Sequence, residues 1–428
     1  MLTSEENELL TCTGPRTPMG DLLRRFWAPI LLASELPEAD CPPVRVTIMS
    51  EDLVVFKDTL GRVGVLDAYC PHRRAHLYWG RNEECGLRCV YHGWKFDVEG
   101  NCVDMPNEPP EYRFKERVYT TAYPAREFGG LIWVYMGPKD TLPADPPQLE
   151  WARVPPSHRL ISKRRQETNW AQAVEGGIDS SHVSFLHRTL RHEDRITSVP
   201  ALLRAPTQAL YMARDTSPRF TVKTTDYGLL IGARRNAEDD TYYWRITQFL
   251  LPWYTMIPGS IERGQSISGH AWVPIDDETC WTFSVTWNAE RPFTPQELEE
   301  MHAGFGIHTE VDARFRPIRN SDNEYQIDRA AQKTRTFTAI KGISEQDMAV
   351  QEAMGPVVDR TREHLGTSDT AIIAYRRLLL RLARNLEHGQ EPAVAQLADA
   401  FRVRSASVVL RRDQEFDEGA KERLAATV

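Results

Sequence analysis

The hydrophobic and polar positions in the first third of the chain alternate in short runs that predict β-strands. Runs rich in β-branched residues begin at Val44, Leu53 and Val63, and turn residues separate them. An amphipathic stretch at 21–35 precedes these runs, and a further apolar run, GGLIWVYMG, begins at Gly129. The pattern predicts a small antiparallel β domain that follows a helical N-terminal segment.

A proline-rich segment then interrupts the pattern, with six prolines between Pro138 and Pro156. Beyond it, a helical stretch at 169–187 is followed by strand-like runs from Tyr242 and His270 and by helical patterns from Ser344 onward. We therefore predict an α+β chain. Its expected segments are a helical N-terminal cap at 1–45, an all-β domain at 46–140, a proline-rich linker at 141–160, a larger domain of antiparallel sheet with helices at 161–385, and a helical C-terminal extension at 386–428.

Composition narrows the function classes. With 41% hydrophobic and 26% charged residues among 428, the chain is typical of soluble globular proteins. The net charge of −8 has the wrong sign for wrapping nucleic acid. The acidic start, MLTSEENELL, does not resemble a secretory signal, and no apolar run approaches the roughly 18 residues of a membrane helix. We expect a cytoplasmic protein with neither nucleic acid nor membrane as a partner.

The strongest chemical signal is a pair of cysteine and histidine motifs. Cys70 and His72 form C-x-H, and after sixteen residues Cys89 and His92 form C-x-x-H. Two loops that each offer one thiolate and one imidazole can place both sulfurs on one iron of a [2Fe–2S] cluster and both nitrogens on the other. The spacing resembles the Rieske motif and predicts such a cluster.

A structural zinc site is the competing interpretation of these four residues, because two cysteines and two histidines also suit tetrahedral Zn²⁺. Zinc motifs usually separate paired ligands by two to four residues, whereas only Pro71 lies between Cys70 and His72. The seven cysteines of the chain are odd in number and sparse, so a disulfide scaffold is not expected. The spacing favours the cluster over zinc.

A second candidate metal site lies in NWAQAVEGGIDSSHVSFLH, where Glu175, Asp179, His182 and His187 form E-x3-D-x2-H-x4-H. On a regular helix the first three share a face, but His187 lies about 140° around the axis from His182. Both imidazoles can face one ion only if a π-bulge or a break follows His182, and such irregularities are frequent at functional sites. We predict one here.

Two histidines and one carboxylate form the facial triad of mononuclear non-haem Fe(II), which leaves coordination positions open. The carboxylate must come from elsewhere in the sequence, and three aspartates of one late segment are candidates: Asp347, Asp359 and Asp369.

Taken together, the two motifs resemble those of the oxygenase component of Rieske non-haem iron oxygenases. TPMGDLLRRFW, RNEECGLRCVYHGWKFD, YYWRITQFLLP and MGPVVDRTREHLG are similar to the phthalate 4,5-dioxygenase branch, which includes dehydrodivanillate O-demethylase, and the resemblance extends over residues 8–385. It implies an N-terminal all-β Rieske [2Fe–2S] domain, a C-terminal helix-grip catalytic domain with mononuclear Fe(II), and Asp347 as the third iron ligand. The chain departs from the family pattern at Arg74, where glycine is expected in the first cluster loop.

The same resemblance implies an assembly. Such proteins are homo-oligomers, trimers or hexamers, that receive electrons from a separate NADH-dependent flavin and [2Fe–2S] reductase and consume O2. Asp179 matches the aspartate that links a cluster histidine of an adjacent subunit, here His92 or His72, to an iron-bound histidine, here His182.

For the substrate, the resemblance implies an aromatic carboxylate. Arg245 matches a substrate-binding arginine of phthalate dioxygenases, and a guanidinium binds a carboxylate in bidentate fashion. Arg204, Arg219 and Arg235 are weaker alternatives, and Ser180 is expected to face the pocket. We predict hydroxylation of a phthalate-like acid, with two alternatives: oxidative O-demethylation of a methoxylated aromatic acid, and a Rieske electron carrier without oxygenase activity.

Overall fold

The computed structural model describes residues 1–190, 206–261, 264 and 266–428. The chain begins with two short helices, α1 (Ser4–Thr11) and α2 (Pro18–Leu23). Thr3 caps α1: its hydroxyl accepts from the Glu6 amide at 3.1 Å, and the Glu6 carboxylate accepts from the Thr3 amide at 3.2 Å.

Three small antiparallel sheets follow, and they confirm the predicted all-β region. In sheet order they are β1-β11-β10, β2-β3-β4-β9 and β5-β6-β7-β8. The strands are β1 (Ala28–Leu32), β2 (Val44–Ile48), β3 (Glu51–Lys57), β4 (Val63–Asp67), β5 (Arg81–Glu83), β6 (Gly86–Arg88), β7 (Lys95–Phe96), β8 (Cys102–Asp104), β9 (Ala122–Tyr123), β10 (Ala125–Phe128) and β11 (Leu131–Val134).

The segment predicted as a helical cap at 1–45 is only partly helical, which corrects that prediction. It contains strand β1, which pairs antiparallel with β11, for example Ala28 opposite Val134. The apolar run Ala28–Leu32 is buried on the core, so pairing with a buried strand satisfies its backbone groups.

The larger domain is built on one antiparallel sheet in the order β12-β18-β17-β16-β15-β14-β13, and β19 pairs with β15 outside this path. Its strands are β12 (Arg159–Gln166), β13 (Arg219–Thr224), β14 (Gly228–Asn236), β15 (Thr241–Leu250), β16 (Tyr254–Ile257), β17 (Ile267–Pro274), β18 (Cys280–Trp287) and β19 (Ala406–Arg411). The helices of this part of the chain are α3 (Glu150–Arg153), α4 (Trp170–Ile178), α5 (Pro206–Arg214), α6 (Pro295–His302), α7 (Arg329–Thr334), α8 (Ile343–Ala353), α9 (Thr370–Glu387), α10 (Phe416–Gly419) and α11 (Lys421–Leu424).

The C-terminal segment 386–428 is also corrected, since it was predicted to be helical. Its strand β19 pairs with the first half of β15, from Ala406 opposite Ile246 to Arg411 opposite Thr241. Val408 and Leu410 are buried there against Trp244 and Phe416, so the extension adds a strand to the sheet as well as the short helices α10 and α11.

The two domains share one hydrophobic core that includes Trp27, Trp133, Trp170, Trp253 and Trp287. Backbone hydrogen bonds also join them, from the Met49 amide to the Pro274 carbonyl and from the Ser50 amide to the Ile275 carbonyl, both at 2.8 Å. Within the described residues no helix is both long and apolar enough to cross a bilayer.

Candidate metal centres and the cavity between helix and sheet

Two loops of the small domain present the first metal motif, and they have the same backbone design. In one, the Cys70 amide donates to the Ala75 carbonyl and the Arg74 amide donates to the Cys70 carbonyl, both at 2.9 Å. In the other, the Cys89 amide donates to the Trp94 carbonyl at 2.8 Å and the Gly93 amide to the Cys89 carbonyl at 3.0 Å. The two cysteines therefore occupy equivalent positions in two hydrogen-bonded loops.

In these loops the two thiols lie next to each other, and so do the two imidazoles. Cys70 and Cys89 are buried and in contact with each other, and the hydrogen bond from Cys70 lowers the pKa of the Cys89 thiol. His72 and His92 lie edge to face with ring centroids 4.4 Å apart, and the buried Nδ1 of His72 has no hydrogen-bond partner. Sulfurs paired with each other and imidazoles paired with each other fit a [2Fe–2S] cluster with one all-sulfur and one two-imidazole iron.

This arrangement does not fit a single tetrahedral zinc ion. Four ligand atoms on one zinc ion lie within roughly 4 Å of one another, because Zn–S is about 2.3 Å and Zn–N about 2.0–2.1 Å. Among the described residues, one group of three or more metal-ligating side chains brings its ligand atoms within 4.8 Å of one another, and it contains none of these four residues. The zinc alternative is therefore disfavoured by geometry as well as by spacing.

Arg74, the departure from the family pattern, adopts a left-handed backbone conformation with φ of 58°. Glycine favours this region, and another residue pays roughly 1–2 kcal/mol there. The Arg74 guanidinium bonds the Asp67 carboxylate at 3.0 Å and lies 4.7 Å from the Tyr69 ring centroid. The loop thus keeps the conformation that glycine would give, with an arginine on its surface.

The second motif lies where helix α4 ends. The helix stops at Ile178, and the Asp179 carboxylate accepts hydrogen bonds from the Ser181 amide at 2.6 Å and the His182 amide at 3.3 Å. A short 3₁₀ segment at His182–Ser184 follows. The predicted break after His182 exists, since the 3₁₀ segment ends at Ser184 and Phe185 leaves the helical conformation. The α-helix also ends earlier than expected, because Asp179 accepts from amides that a continuing helix would use.

Three side chains converge beyond this break. The Nε2 atoms of His182 and His187 are 3.2 Å apart, and they lie 3.5 and 3.3 Å from Oδ1 of Asp347 on α8. Ligand atoms at about 2.1 Å from one ion with angles near 90° are roughly 3 Å apart, so this triangle fits a facial triad. Asp359 and Asp369 instead bond local groups, the Thr361 amide and the Gly366 amide.

The far nitrogen of each imidazole is held by a carbonyl or carboxylate oxygen. Asp179 Oδ2 accepts from His182 Nδ1 at 3.2 Å, and Gln346 Oε1 accepts from His187 Nδ1 at 2.7 Å. Gln346 Nε2 donates to the Ile340 carbonyl at 2.9 Å, which fixes the orientation of the amide. Both Nε2 atoms are thereby directed at the point that Asp347 faces.

Electrostatics at this point favour an ionised carboxylate. Burial raises the pKa of Asp347, but the neighbouring His187 and then His182 outweigh it, so the net pKa is lowered. Burial lowers the pKa of His182, but the Asp179 hydrogen bond and the Asp347 charge raise it above its usual value.

The triad opens into a cavity of about 930 Å³ between the sheet and helices α4, α5 and α8, and Arg245 lines this cavity. Arg245 lies on β15, and its buried Nε has no hydrogen-bond partner. The cavity wall therefore carries a guanidinium group, which is able to bind an anion.

The other substrate candidates lie elsewhere. Arg235 is buried and donates to the Ser180 carbonyl at 2.7 Å, so it supports the loop that carries His182. The Ser180 side chain is buried without a hydrogen-bond partner and does not line the cavity, contrary to expectation. Arg219 is exposed on β13, and Arg204 lies outside the described residues.

Sequence reasoning missed two residues of this region, Gln346 and Arg164. Gln346 directly precedes Asp347, and its neighbouring position was the available signal. Arg164 lines the cavity from β12, and it carried no sequence signal because SKRRQ reads as an ordinary polar run.

Two family models match the chain. A Rieske [2Fe-2S] domain model matches residues 26–124, and a LigXa C-terminal domain like model matches residues 134–417. The chain is 39% identical over 422 residues to the phthalate 4,5-dioxygenase oxygenase subunit of Pseudomonas putida, covering 97% of this chain and 94% of that protein.

A second relative is the 5,5'-dehydrodivanillate O-demethylase oxygenase subunit of a Sphingobium species, 34% identical over 397 residues, covering 92% of this chain and 83% of that protein. Among solved structures, dicamba monooxygenase bound to dicamba aligns with a TM-score of 0.60 and 18% identity, over 86% of this chain and 99% of that one. That likeness shows a common fold.

Proposed function

We propose an activity for this chain from its family, since it belongs to the Rieske non-haem iron oxygenases, in the branch of the phthalate 4,5-dioxygenase and 5,5'-dehydrodivanillate O-demethylase oxygenase subunits. The chain is the terminal oxygenase component of such a system. It uses O2 and external electrons to hydroxylate an aromatic carboxylate of the phthalate type.

The observation that carries this proposal is the convergence of His182, His187 and Asp347 on one point inside a large cavity, in a chain that also has a Rieske domain. An electron-transfer protein needs no second metal centre and no cavity beside it. The cavity and the triad therefore favour the oxygenase over the electron carrier.

The cofactors of this family are a Rieske [2Fe–2S] cluster and a mononuclear iron. We assign the cluster to Cys70, His72, Cys89 and His92, and the mononuclear iron to His182, His187 and Asp347. When bound, the cluster supplies electrons and the mononuclear iron supplies open coordination positions for O2 beside the substrate.

The chain's own residues position the reactants. Asp179 and Gln346 hold the two imidazoles by their Nδ1 atoms, and Arg245 offers a guanidinium fork to the carboxylate of the substrate. A fixed carboxylate sets which substrate carbon lies next to the open coordination positions, and that placement decides between ring hydroxylation and attack on a methoxy group.

The electron donor and the assembly belong to the same proposal. The donor is an NADH-dependent flavin and [2Fe–2S] reductase, and the oxygenase is a homo-oligomer, a trimer or a hexamer. Its Asp179 connects His182 to a cluster histidine of an adjacent subunit. The Asp179 side chain is 28% accessible, which supports this role because a second partner can reach it.

A product assay tests the activity. The protein, reconstituted with iron and sulfide and supplied with a reductase, is incubated with phthalates and methoxybenzoates while oxygen uptake, ring products and formaldehyde are measured. A cis-diol, or a phenolic product formed without formaldehyde, supports hydroxylation of an aromatic carboxylate, and a phenolic product formed together with formaldehyde identifies an O-demethylase. Two iron atoms per chain without substrate-dependent oxygen uptake would reject the oxygenase and leave the electron carrier.

A further inference from the structure

The ligands of the triad come from two separate helices. His182 and His187 follow the end of α4, whereas Asp347 lies on α8. The Nε2 atoms of the two histidines lie 3.5 and 3.3 Å from Asp347 Oδ1, and these distances depend on how α8 packs against α4. Groups that fix this packing therefore also fix the geometry of the triad.

Gln351 joins α8 to both neighbouring elements. It lies one helical turn after Asp347 on the same face of α8, and it is buried, with 7% exposure. Its Oε1 accepts from Nε2 of Gln166, at the end of strand β12, at 2.6 Å. Its backbone carbonyl accepts from Nε2 of Gln172, on α4, at 2.9 Å. One residue thus connects the helix of Asp347 to the sheet and to the helix that precedes the histidines.

The orientations of the two buried amides are fixed by their neighbours. Gln166 Oε1 accepts from Trp272 Nε1 at 3.3 Å and from the Thr282 hydroxyl at 3.1 Å, and an indole nitrogen can only donate. Gln166 therefore presents Nε2 to Gln351, and Gln351 must present Oε1 in return. A buried network of directed hydrogen bonds holds its elements in one arrangement, whereas apolar side chains can repack.

Gly176 provides the space for the other end of the Gln351 amide. A Cβ at this position would lie 2.0 Å from Gln351 Nε2 and 3.3 Å from its Cδ. Among the described residues, no atom from outside α4 other than these two comes within 4 Å of that point. Since glycine destabilises a helix relative to alanine, its presence within α4 is explained by the position of this amide.

We propose that Gln351 is a positioning residue for the iron site, and that it holds Asp347 at the correct distance from the two histidines. It does so through its hydrogen bond to Gln166 and its contact with Gly176. This inference rests on the proposed function, since it assumes an iron ion at the triad. Ligands of a metal site must be held within about 0.5 Å of their productive geometry. If the amide of Gln351 leaves its place, α8 can shift against α4, and the Asp347 carboxylate shifts with it.

Titration of iron-depleted protein with Fe(II), with the cluster left intact, tests this role. Gln351→Leu and Gln166→Leu should each weaken Fe(II) binding roughly tenfold, the lower end of the usual effect of removing residues that support metal ligands. The double variant should lose about as much as either single variant, because each substitution removes the same hydrogen bond. Gln296→Leu, at an exposed position on α6, is the matched control and should bind Fe(II) like the parent protein.

Nitric oxide, added to the Fe(II) protein without oxygen, gives a second measurement that overall stability does not affect. The electron paramagnetic resonance signal of the nitrosyl adduct reports the symmetry of the iron site. Its line shape should change in Gln351→Leu and remain that of the parent protein in Gln296→Leu.

Gly176→Ala separates positioning from folding. Only the flexible end of Gln351 has to move aside, and alanine favours the helix, so the melting temperature should stay within a few degrees of the parent protein. Fe(II) binding should nevertheless weaken as much as in Gln351→Leu. In a Gln351→Ala background, Gly176→Ala should cause no further loss, because the amide that it displaces is absent.

Three results would overturn the inference. A lowered melting temperature with unchanged Fe(II) affinity in Gln351→Leu would make the amide pair a structural contact only. Unchanged Fe(II) affinity in Gly176→Ala would show that the place of the amide does not matter, and an equal further loss in the Gln351→Ala background would show that Gly176 acts without it. In each case the parent protein still binds Fe(II), so the proposed function stands. Failure of the parent protein to bind Fe(II) would reject both proposals.

Discussion

At the scale of single residues, the mononuclear site is defined as much by the groups behind its imidazoles as by the imidazoles themselves. Asp179 and Gln346 accept hydrogen bonds from the two Nδ1–H groups, so each ring has one orientation and keeps its Nε2 for a metal ion. Asp179 is charged and Gln346 is neutral. A carboxylate makes the imidazole that it accepts from a stronger metal ligand than a neutral amide does. Replacing each holder should therefore have different consequences.

Asp179→Asn should keep both metals and nearly abolish substrate oxidation. The amide is the same size and its oxygen can still accept from His182 Nδ1, but the negative charge that would serve a second imidazole is lost. Iron content and the electron paramagnetic resonance signal of the reduced cluster should match the parent protein, while product formation falls at least a hundredfold. Full turnover by this variant would remove Asp179 from the path between the centres.

Gln346→Leu should weaken iron binding at the triad by about 10- to 100-fold, the usual effect of removing a group that orients a metal ligand. His187 would lose its 2.7 Å acceptor and be free to rotate. Titration of iron-depleted protein with Fe(II) measures the affinity, and the visible spectrum reports the cluster, which should be unchanged. Gln296→Leu, at an exposed position on α6, is the matched control, and an unchanged Fe(II) affinity in Gln346→Leu would contradict the assignment.

At the scale of elements, the end of α4 shows what sequence patterns can and cannot predict. The motif spacing required an irregularity near His182, and one exists, but its position depends on the Asp179 carboxylate bonding two amides. Gly176 and Gly177 in the last turn were a local signal for an earlier end. Tertiary packing requires glycine at both positions. A Cβ would lie 2.0 Å from Gln351 Nε2 at Gly176 and 2.4 Å from the Trp272 ring at Gly177.

The strands rich in β-branched and aromatic residues were predictable, as at Val44, Leu53 and Tyr242, because most of their apolar residues are buried. Strand β19 was not, since a six-residue strand at the end of a polar segment has little periodicity of its own. It forms because β15 is longer than β16: β16 pairs with Gln248–Leu250, and the first half of β15 remains open for a partner. Long-range pairing of this kind is decided by the other strand.

Glu150→Gln should release the C-terminal extension and destabilise the fold. Glu150 is fully buried in α3, and its carboxylate accepts from Arg404, from Trp287 Nε1 at 3.0 Å and from the Thr427 amide at 2.7 Å. Removing one charge of a buried pair costs about 3–5 kcal/mol, because the other charge is left uncompensated. The melting temperature should fall by several degrees.

A matched control for that variant lies in the same extension. Glu415→Gln removes an exposed carboxylate that is 3.8 Å from Lys223, and such surface pairs contribute about 0–1 kcal/mol. Its melting temperature should equal that of the parent protein. Equal, small effects of both substitutions would show that the extension is held by its strand pairing alone.

At the scale of the whole molecule, the imidazoles of the first motif lie closer to the surface than its thiols. Cys70 and Cys89 are buried, whereas His72 and His92 are partly exposed and Trp79 and Tyr91, close by in sequence, are 66% and 54% accessible. If these residues hold the proposed cluster, its imidazole side would face the surface of the subunit. Asp179 is also partly accessible, so the surface beside the triad carries a carboxylate that an adjacent subunit can reach.

Mixed oligomers test whether electrons cross from one subunit to the next. Cys70→Ser should lose the cluster and His182→Ala the mononuclear iron, so each variant alone should be inactive. When both are produced together, some oligomers place an intact cluster of a His182→Ala subunit beside an intact triad of a Cys70→Ser subunit. Activity should then return, measured as product formed per mononuclear iron in oligomers purified through two different affinity tags.

The alternative path, from cluster to triad within one chain, predicts no activity in any mixture, because no single chain holds both centres. Mixing the two purified variants without subunit exchange is the control, and it should remain inactive under either path. Adding Asp179→Asn to the Cys70→Ser chain should abolish the recovered activity, whereas adding it to the His182→Ala chain should not. The two results differ because only the Asp179 of the Cys70→Ser chain lies beside an intact triad. Equal loss of activity in both arrangements would contradict transfer between subunits through this carboxylate.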